Sequence, residues 1–309
     1  MLTTFRRRLE TARFDFAVRD ILRAPPARPE EGGEGPHVVS MVRTEHLRMY
    51  LLAIKSFLRH VPAAAVEVLD DGSLTAEDHA LLRRHVEGIA ITPLASISTG
   101  PCPRGGCWER LLHILDLSGE RYVVQLDSDV LTARAVPTVV EAIRLNRPFT
   151  LGTGPEFGIV TTAEAAAAME GQDRAHTQVE AELALAHIPP GIGGRYIRGS
   201  AGFAGFGRGR ATRERAEAFS VAMQARMGEH WRKWGTEQVT SNFLVASSEG
   251  GHVLPWPDHC CFEPRIRPDE VSLIHFVGSW RFDRGVYARL GRGVARELMV
   301  GAAPRVAAG

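Results

Sequence analysis

Asp127-Ser128-Asp129 comes directly after the apolar run from Tyr122 to Leu126. Two carboxylates one residue apart, just past a buried strand, can both reach one hard cation. Mg²⁺ or Mn²⁺ takes one or two carboxylates and fills its remaining positions with water and phosphate oxygens. Asp70-Asp71-Gly72-Ser73 closes a second apolar run, AVEVL. A carboxylate there can accept from a base N–H or a ribose hydroxyl; the same four residues also make an ordinary tight turn. His275-Phe276-Val277-Gly278-Ser279-Trp280-Arg281 follows the apolar VSLI. Its imidazole can complete a metal site, and its guanidinium can pair with a diphosphate through two parallel hydrogen bonds. Glu237-Gln238, with Asn242 beyond, offers either a carboxylate base or a buried polar pair on a helix.

These residues need elements to hold them. From His37 the chain alternates: HVVSMVRT is a strand, LRMYLLAIKSFLRHV a helix and AVEVLDD a strand. LTAEDHALLRRHV is then a helix, GIAITPL a strand, GGCWERLLHILDLS a helix and RYVVQLDSDV a strand. Such alternation predicts βαβ units, a mostly parallel sheet and flanking helices, an α/β fold. Ligands of such sheets bind beyond the carboxyl ends of the strands, where Asp70, Asp71, Asp127 and Asp129 fall. Further on, RGSAGFAGFG reads as a Gly-rich strand or loop. RATRERAEAFSVAMQARM, EQVTSNFLVASSE and FDRGVYARLGRGVARELM read as helices, and VSLIHFVG as a late strand. TTAEAAAAMEGQDRAHTQVEAELALAHI is helix-prone.

With 309 residues, 37 basic against 36 acidic, the chain has a net charge of +1. That balance argues against a nucleic-acid binder, which needs a basic surface to release counterions. The four cysteines, at 102, 107, 260 and 261, match neither a zinc knuckle nor a Cys-x-x-Cys pair and are expected to be free thiols. Residues 1–24 have Leu2, Phe5, Leu9, Ala12 and Phe16 at helical spacing, and seven Arg against three acids over 1–28. This helix either packs on the domain's own surface or lies on an anionic membrane. The start has no apolar h-region and no cleavage site, and no apolar run approaches a membrane span, so a cytoplasmic or membrane-peripheral location is expected.

The stretch VVSMVRTEHLRMYLLAIKSFLRHVPAAAVEVLDDGSLT resembles the opening of GT-A nucleotide-sugar glycosyltransferases, whose second strand ends in Asp-Asp-Gly-Ser in one large family. RGGCWERLLHILDLSGERYVVQLDSDV resembles that family's Arg-bearing helix, Gly-Glu turn and Leu-Asp-x-Asp strand; together the two cover residues 37–135. The resemblance implies that Asp71, with Asp70 beside it, holds the nucleoside, that Asp127 and Asp129 hold metal and donor, and that Arg110 lies near the nucleotide. The first loop departs from the family in having Arg43-Thr44-Glu45, with Glu45 the nearest counterpart of the usual acid or amide. His275, Gly278 and Arg281 resemble the His-x-x-Gly-x-x-Lys segment of retaining galactosyl- and glucosyltransferases, with Arg at the Lys position and no Pro-Trp after it. Glu237 resembles the base of inverting members, and Gln238 the Gln beneath the anomeric carbon in retaining ones, so the stereochemical course stays open.

The resemblance implies a hexosyltransferase-class enzyme using Mn²⁺ or Mg²⁺. Its donor would be a nucleoside-diphosphate sugar, UDP-sugar by family frequency, and its acceptor a saccharide, lipid or small molecule. The implied division is an N-terminal helix and linker (1–36), a GT-A-like domain (37–300, with a nucleotide half 37–135 and an acceptor half 136–300) and a disordered tail (301–309). Two other readings compete. One is a non-catalytic GT-A-like nucleotide-sugar-binding domain. The other is a haloacid-dehalogenase-like phosphatase, which LDSDVLT resembles except that Leu131 stands at the Thr/Val position and the motif does not open the fold. A sugar nucleotidyltransferase lacks support because its Gly-rich, basic N-terminal loop is missing.

Overall fold

The computed structural model describes residues 2–30 and 32–301. Along the chain run α1 (Leu2–Ala17), β1 (His37–Val42), α2 (Leu47–Leu58), β2 (Ala65–Asp70), α3 (Ala76–His85) and β3 (Ala90–Pro93). Then come α4 (Trp108–Ser118), β4 (Val123–Leu126), β5 (Val130–Thr132), α5 (Pro137–Arg144), β6 (Phe149–Gly152), β7 (Val160–Thr161), α6 (Thr162–Ala167) and α7 (Thr177–Ala184). The remainder is β8 (Arg195–Tyr196), β9 (Gly199–Phe206), α8 (Arg213–Met227), α9 (Thr236–Ser247), β10 (His252–Leu254), β11 (His259–Cys261), β12 (Leu273–His275) and α10 (Val286–Met299). The expected α/β class, with mostly parallel strands and flanking helices, is what the chain adopts. Among the described residues no helix is long and apolar enough to cross a membrane.

The chain forms two compact units. The first takes residues up to Thr92, then Leu126–Val140, and the chain from Pro257 on. In it β1 and β2 run parallel with His37 opposite Ala65 and Val42 opposite Asp70, and β3 lies beside β2. Helix α2 forms because LRMYLLAIKSFL has good helix formers and few β-branched residues. Nearly all of it is buried, Lys55 and Ser56 included. Ser56 Oγ accepts from the Thr132 amide at 3.2 Å, which fixes the end of β5 to α2. Helix α10 packs on α2 at Gly291, where an added Cβ would lie 2.9 Å from Leu52 Cδ2 and 3.1 Å from Val18 Cγ1.

The Pro-rich segment after Arg23 is fastened to this unit. Lys55 Nζ donates to the carbonyls of Ala24 (3.0 Å) and Pro25 (2.7 Å) and lies 3.0 Å from His85 Nδ1. Ala27 also forms a parallel bridge with Val86. Helix α1 uses a different face from the one its sequence suggests. Phe14, Ala17 and Val18 are buried, whereas Leu9 and Phe16 are exposed. Beyond Gly301, the C-terminal tail lies outside the described residues.

The second unit takes Pro93–Gln125 and Glu141–Trp256. Its strands lie in the order β10-β6-β9-β4, with β10 parallel to β6 and β9 antiparallel to it. Within RGSAGFAGFG, Gly199–Phe206 is a fully buried strand, not a loop. The helix-prone 161–188 stretch splits into α6 and α7, separated by residues around Gly171. The core is aromatic: Phe219 stacks on Phe243 with ring centroids 4.1 Å apart, and Trp108 meets Trp231 edge-on.

Candidate functional site

A short antiparallel pairing builds the centre of the site. Strands β5 and β12 put Val130 opposite His275, and the Phe276 amide donates to the Asp129 carbonyl at 2.9 Å. Both strands are buried and made of Val, Leu, Ile and Thr with His275 at the end, residues suited to a pleated surface. The pairing holds the Asp129 and His275 side chains together: His275 Nε2 lies 3.2 Å from Asp129 Oδ1 and 3.9 Å from Asp127 Oδ2. Each of Asp127, Asp129 and His275 offers a ligand atom within 4.8 Å of the others, the one such group among the described residues.

Arg281 closes the cluster. Gly278 has φ +59°, a left-handed conformation that turns the chain back. Arg281 Nη2 then donates to Asp129 Oδ2 at 2.5 Å, and its Nε to the Phe276 carbonyl at 3.2 Å. Its Nη1 lies 3.5 Å from His46 Nε2. Burial works against a charge on Asp129, but His275 and Arg281 beside it hold the carboxyl well below the usual range. Burial likewise favours neutral His275, yet the Asp129 carboxylate in contact with it raises its pKa well above the ordinary value. The donor set fits a hard divalent cation: two carboxylates and one imidazole nitrogen, with Asp127 partly open to solvent. His275 Nε2 is the ring nitrogen that faces both carboxylates and would be the one to hold a cation, while Nδ1 faces Cys261 Sγ at 3.8 Å.

The Asp-Asp-Gly-Ser turn also lies in the first unit, and its acids are occupied. Asp70 Oδ1 accepts from the Gly72 and Leu74 amides at 2.8 and 3.3 Å, and Oδ2 faces His79 Nε2 at 3.0 Å. Asp71 Oδ1 accepts from the Ser73 amide and hydroxyl at 3.1 and 2.6 Å, while Arg43 Nε lies 2.9 Å from Oδ2. The half-exposed Arg43 thus sits on the acid expected to hold a nucleoside.

The remaining expected residues belong to the second unit. Arg110 and Glu237 are both buried, with Arg110 Nη2 donating to Glu237 Oε1 at 3.3 Å. Gln238 Oε1 accepts from the Ala201 amide at 3.2 Å and its Nε2 donates to Gln178 Oε1 at 3.2 Å. Asn242 Nδ2 donates to the Gly199 carbonyl at 2.9 Å. Helix α9 therefore directs Gln238 and Asn242 at β9, which ties them to the strand.

The contacts of three residues, Cys261, Glu182 and Arg43, escaped sequence reading. Cys261 reaches His275 because β11 pairs in parallel with β12, putting Cys261 opposite His275. Glu182, buried at 1% exposure, accepts from Gln178 and Tyr196, and Arg198 pairs with it. Burial pushes its pKa up. Arg43 was visible as a departure from the family pattern, but its partner Asp71 was not.

No protein-family model and no curated protein matches the chain. Among solved structures, it is similar to apo mouse xyloside xylosyltransferase 1, at 12% identity over 78% of this chain and 97% of that one, with a TM-score of 0.47. It is similar to the galactosyltransferase LgtC in complex with donor and acceptor sugar analogues, at 12% identity over 86% and 96% of the two chains, TM-score 0.45. It is also similar to core-mannan synthase A from Aspergillus fumigatus in a Mn/GDP form, at 10% identity over 91% and 88%, TM-score 0.42.

Proposed function

We propose that the chain is a metal-dependent glycosyltransferase. It moves a sugar from a nucleoside-diphosphate donor, with UDP-sugars the first choice, to an acceptor hydroxyl. The observation that carries this reading is the cluster of Asp127, Asp129 and His275 with Arg281 on the same carboxylate. Asp127, Asp129 and His275 would hold Mn²⁺ or Mg²⁺. A bound divalent cation supplies charge neutralisation at the departing diphosphate. Arg281, already against Asp129, adds guanidinium donors for the same anion. Asp129 cannot readily serve as a proton donor while it is held ionised, which disfavours the phosphatase reading, where that acid must carry a proton.

In this reading Asp71 recognises the nucleoside with Asp70 shaping the turn, and Gly278 gives Arg281 its return. Glu237 is the acceptor's base in an inverting course, and Arg110 Nη2 lies 3.3 Å from its Oε1. Gln238 is the corresponding group in a retaining course, and its amide is already hydrogen-bonded at both ends. Both residues are already paired, Glu237 with Arg110 and Gln238 with Ala201 and Gln178, so the anomeric configuration of the product decides between the two courses. The test is hydrolysis of a panel of nucleotide sugars by the full chain, with Mn²⁺ and with EDTA. Slow, metal-dependent release of one sugar supports the enzyme. Metal-dependent nucleotide binding without release from any donor returns the chain to a non-catalytic binding domain.

A further inference from the structure

We propose that α1 docks the protein onto an anionic lipid surface through its outward face. Leu9, Ala12 and Phe16 recur at helical spacing, yet all three are exposed, Leu9 at 42% and Phe16 at 65%. The opposite face does the packing: Phe14, Ala17 and Val18 are buried, and the Phe14 ring centroid lies 4.2 Å from that of Tyr287 on α10. An apolar stripe left outside while another face is buried is not explained by the fold of this unit. Its neighbours are cationic. Arg8, Arg13 and Arg19 are exposed, and the Arg19 guanidinium sits 4.2 Å over the Phe16 ring. Helix α10, packed beside α1, adds exposed Arg292 and Arg296 and is followed by Val300, which is 70% exposed.

The charge distribution selects the occupant. Residues 1–28 carry seven Arg against three acids, and residues 286–300 three Arg against one acid, or +4 and +2 in a chain of net +1. The rest therefore carries −5. Exposed Arg8, Arg13 and Arg19 beside an exposed apolar stripe match the boundary between phosphate headgroups and acyl chains, with arginines at the phosphates and Phe16 and Leu9 below them. A second copy of the chain would bring the same positive face against itself.

The assay is co-sedimentation of the full chain with vesicles of phosphatidylcholine, with and without phosphatidylglycerol, at low and high salt. The proposal expects binding to the phosphatidylglycerol vesicles, at least about tenfold weaker with phosphatidylcholine alone, and a loss of binding as salt rises. Arg13→Gln should lower partitioning about fivefold. Phe16→Glu should lower it by about tenfold or more. Both side chains are exposed, so both variants should keep the wild-type melting temperature and metal affinity. Three results overturn the proposal: no vesicle binding, equal binding to the two compositions, or Phe16→Glu binding like wild type. Concentration-dependent dimerisation abolished by Phe16→Glu, with no vesicle binding, would assign the stripe to self-association instead.

Discussion

Asp129 is the residue on which the site's electrostatics rest, and its replacement has a calculable effect before any metal is added. Its carboxylate is buried between His275 Nε2 at 3.2 Å and Arg281 Nη2 at 2.5 Å. Removing one partner of a buried ion pair costs about 3–5 kcal/mol, because the other charge loses its compensation. Here the lower end applies. Arg281 keeps the Phe276 carbonyl and 16% side-chain exposure, and His275 can shed its proton when the carboxylate is gone. Asp129→Asn should therefore lower unfolding free energy by about 3 kcal/mol. Arg281→Met should cost about 1–2 kcal/mol, since His275 continues to compensate Asp129. The double variant should be more stable than the sum of the single losses predicts, by about 1.5–2 kcal/mol. Urea denaturation of the full chain in EDTA, with unchanged m-values, reads all four corners of this cycle. Single losses that add to within about 0.5 kcal/mol would refute the coupling, and so would Asp129→Asn as stable as wild type.

Other consequences follow from the same geometry. Burial lowers the Lys55 pKa to about 8 and, with Lys55 and Arg84, lowers that of His85 to about 4. Both folded values lie below the unfolded ones, so the folded state binds fewer protons and each group's contribution to stability rises with pH. The urea midpoint should fall as pH drops from 6.5 towards 4 through His85, and rise between pH 8 and 10.5 through Lys55. His85→Gln should flatten the acid limb, and a limb unchanged in that variant would remove His85 from the account. Glu237→Gln should lower kcat by about 10²–10⁴ with little change in donor KM if Glu237 is the base. An effect on stability alone would leave it a structural partner of Arg110. Gly291→Val should cost about 1–3 kcal/mol by overpacking against Leu52 and Val18, a loss that thermal or urea unfolding reads directly.

The elements of the first unit were legible where one signal sufficed. The β-branched run at 37–42, the apolar periodicity of 47–58 and the helical stretch LTAEDHALLRRHV each name an element locally. Strands β5 and β11 were not legible: three residues carry no period, and both exist because β12 lies between them. That is also why Asp129 and His275 could be suspected separately while their contact could not be derived. Residues 146 positions apart meet only through the β5–β12 register. Helix α1 was found but the face it packs was not, because periodicity gives the stripe and not what lies beside it. Leu9 and Phe16 form the clearer apolar row, while Phe14 has the ring partner. For Gln238 and Asn242 the types and spacing suggested chemistry, and the hydrogen bonds to β9 supply a structural use for both.

The central claim is a donor site that needs a divalent cation on Asp127, Asp129 and His275. Calorimetric titration of the full chain with UDP, GDP, CDP and dTDP, each with Mn²⁺ and with EDTA, addresses it most directly, with Asp129→Asn as the paired control. The account predicts that one nucleotide, UDP first, binds with Mn²⁺, loses that binding in EDTA, and does not bind the folded Asp129→Asn variant. Equal affinity with Mn²⁺ and EDTA, unchanged affinity in the variant, or no binding of any nucleotide would contradict it.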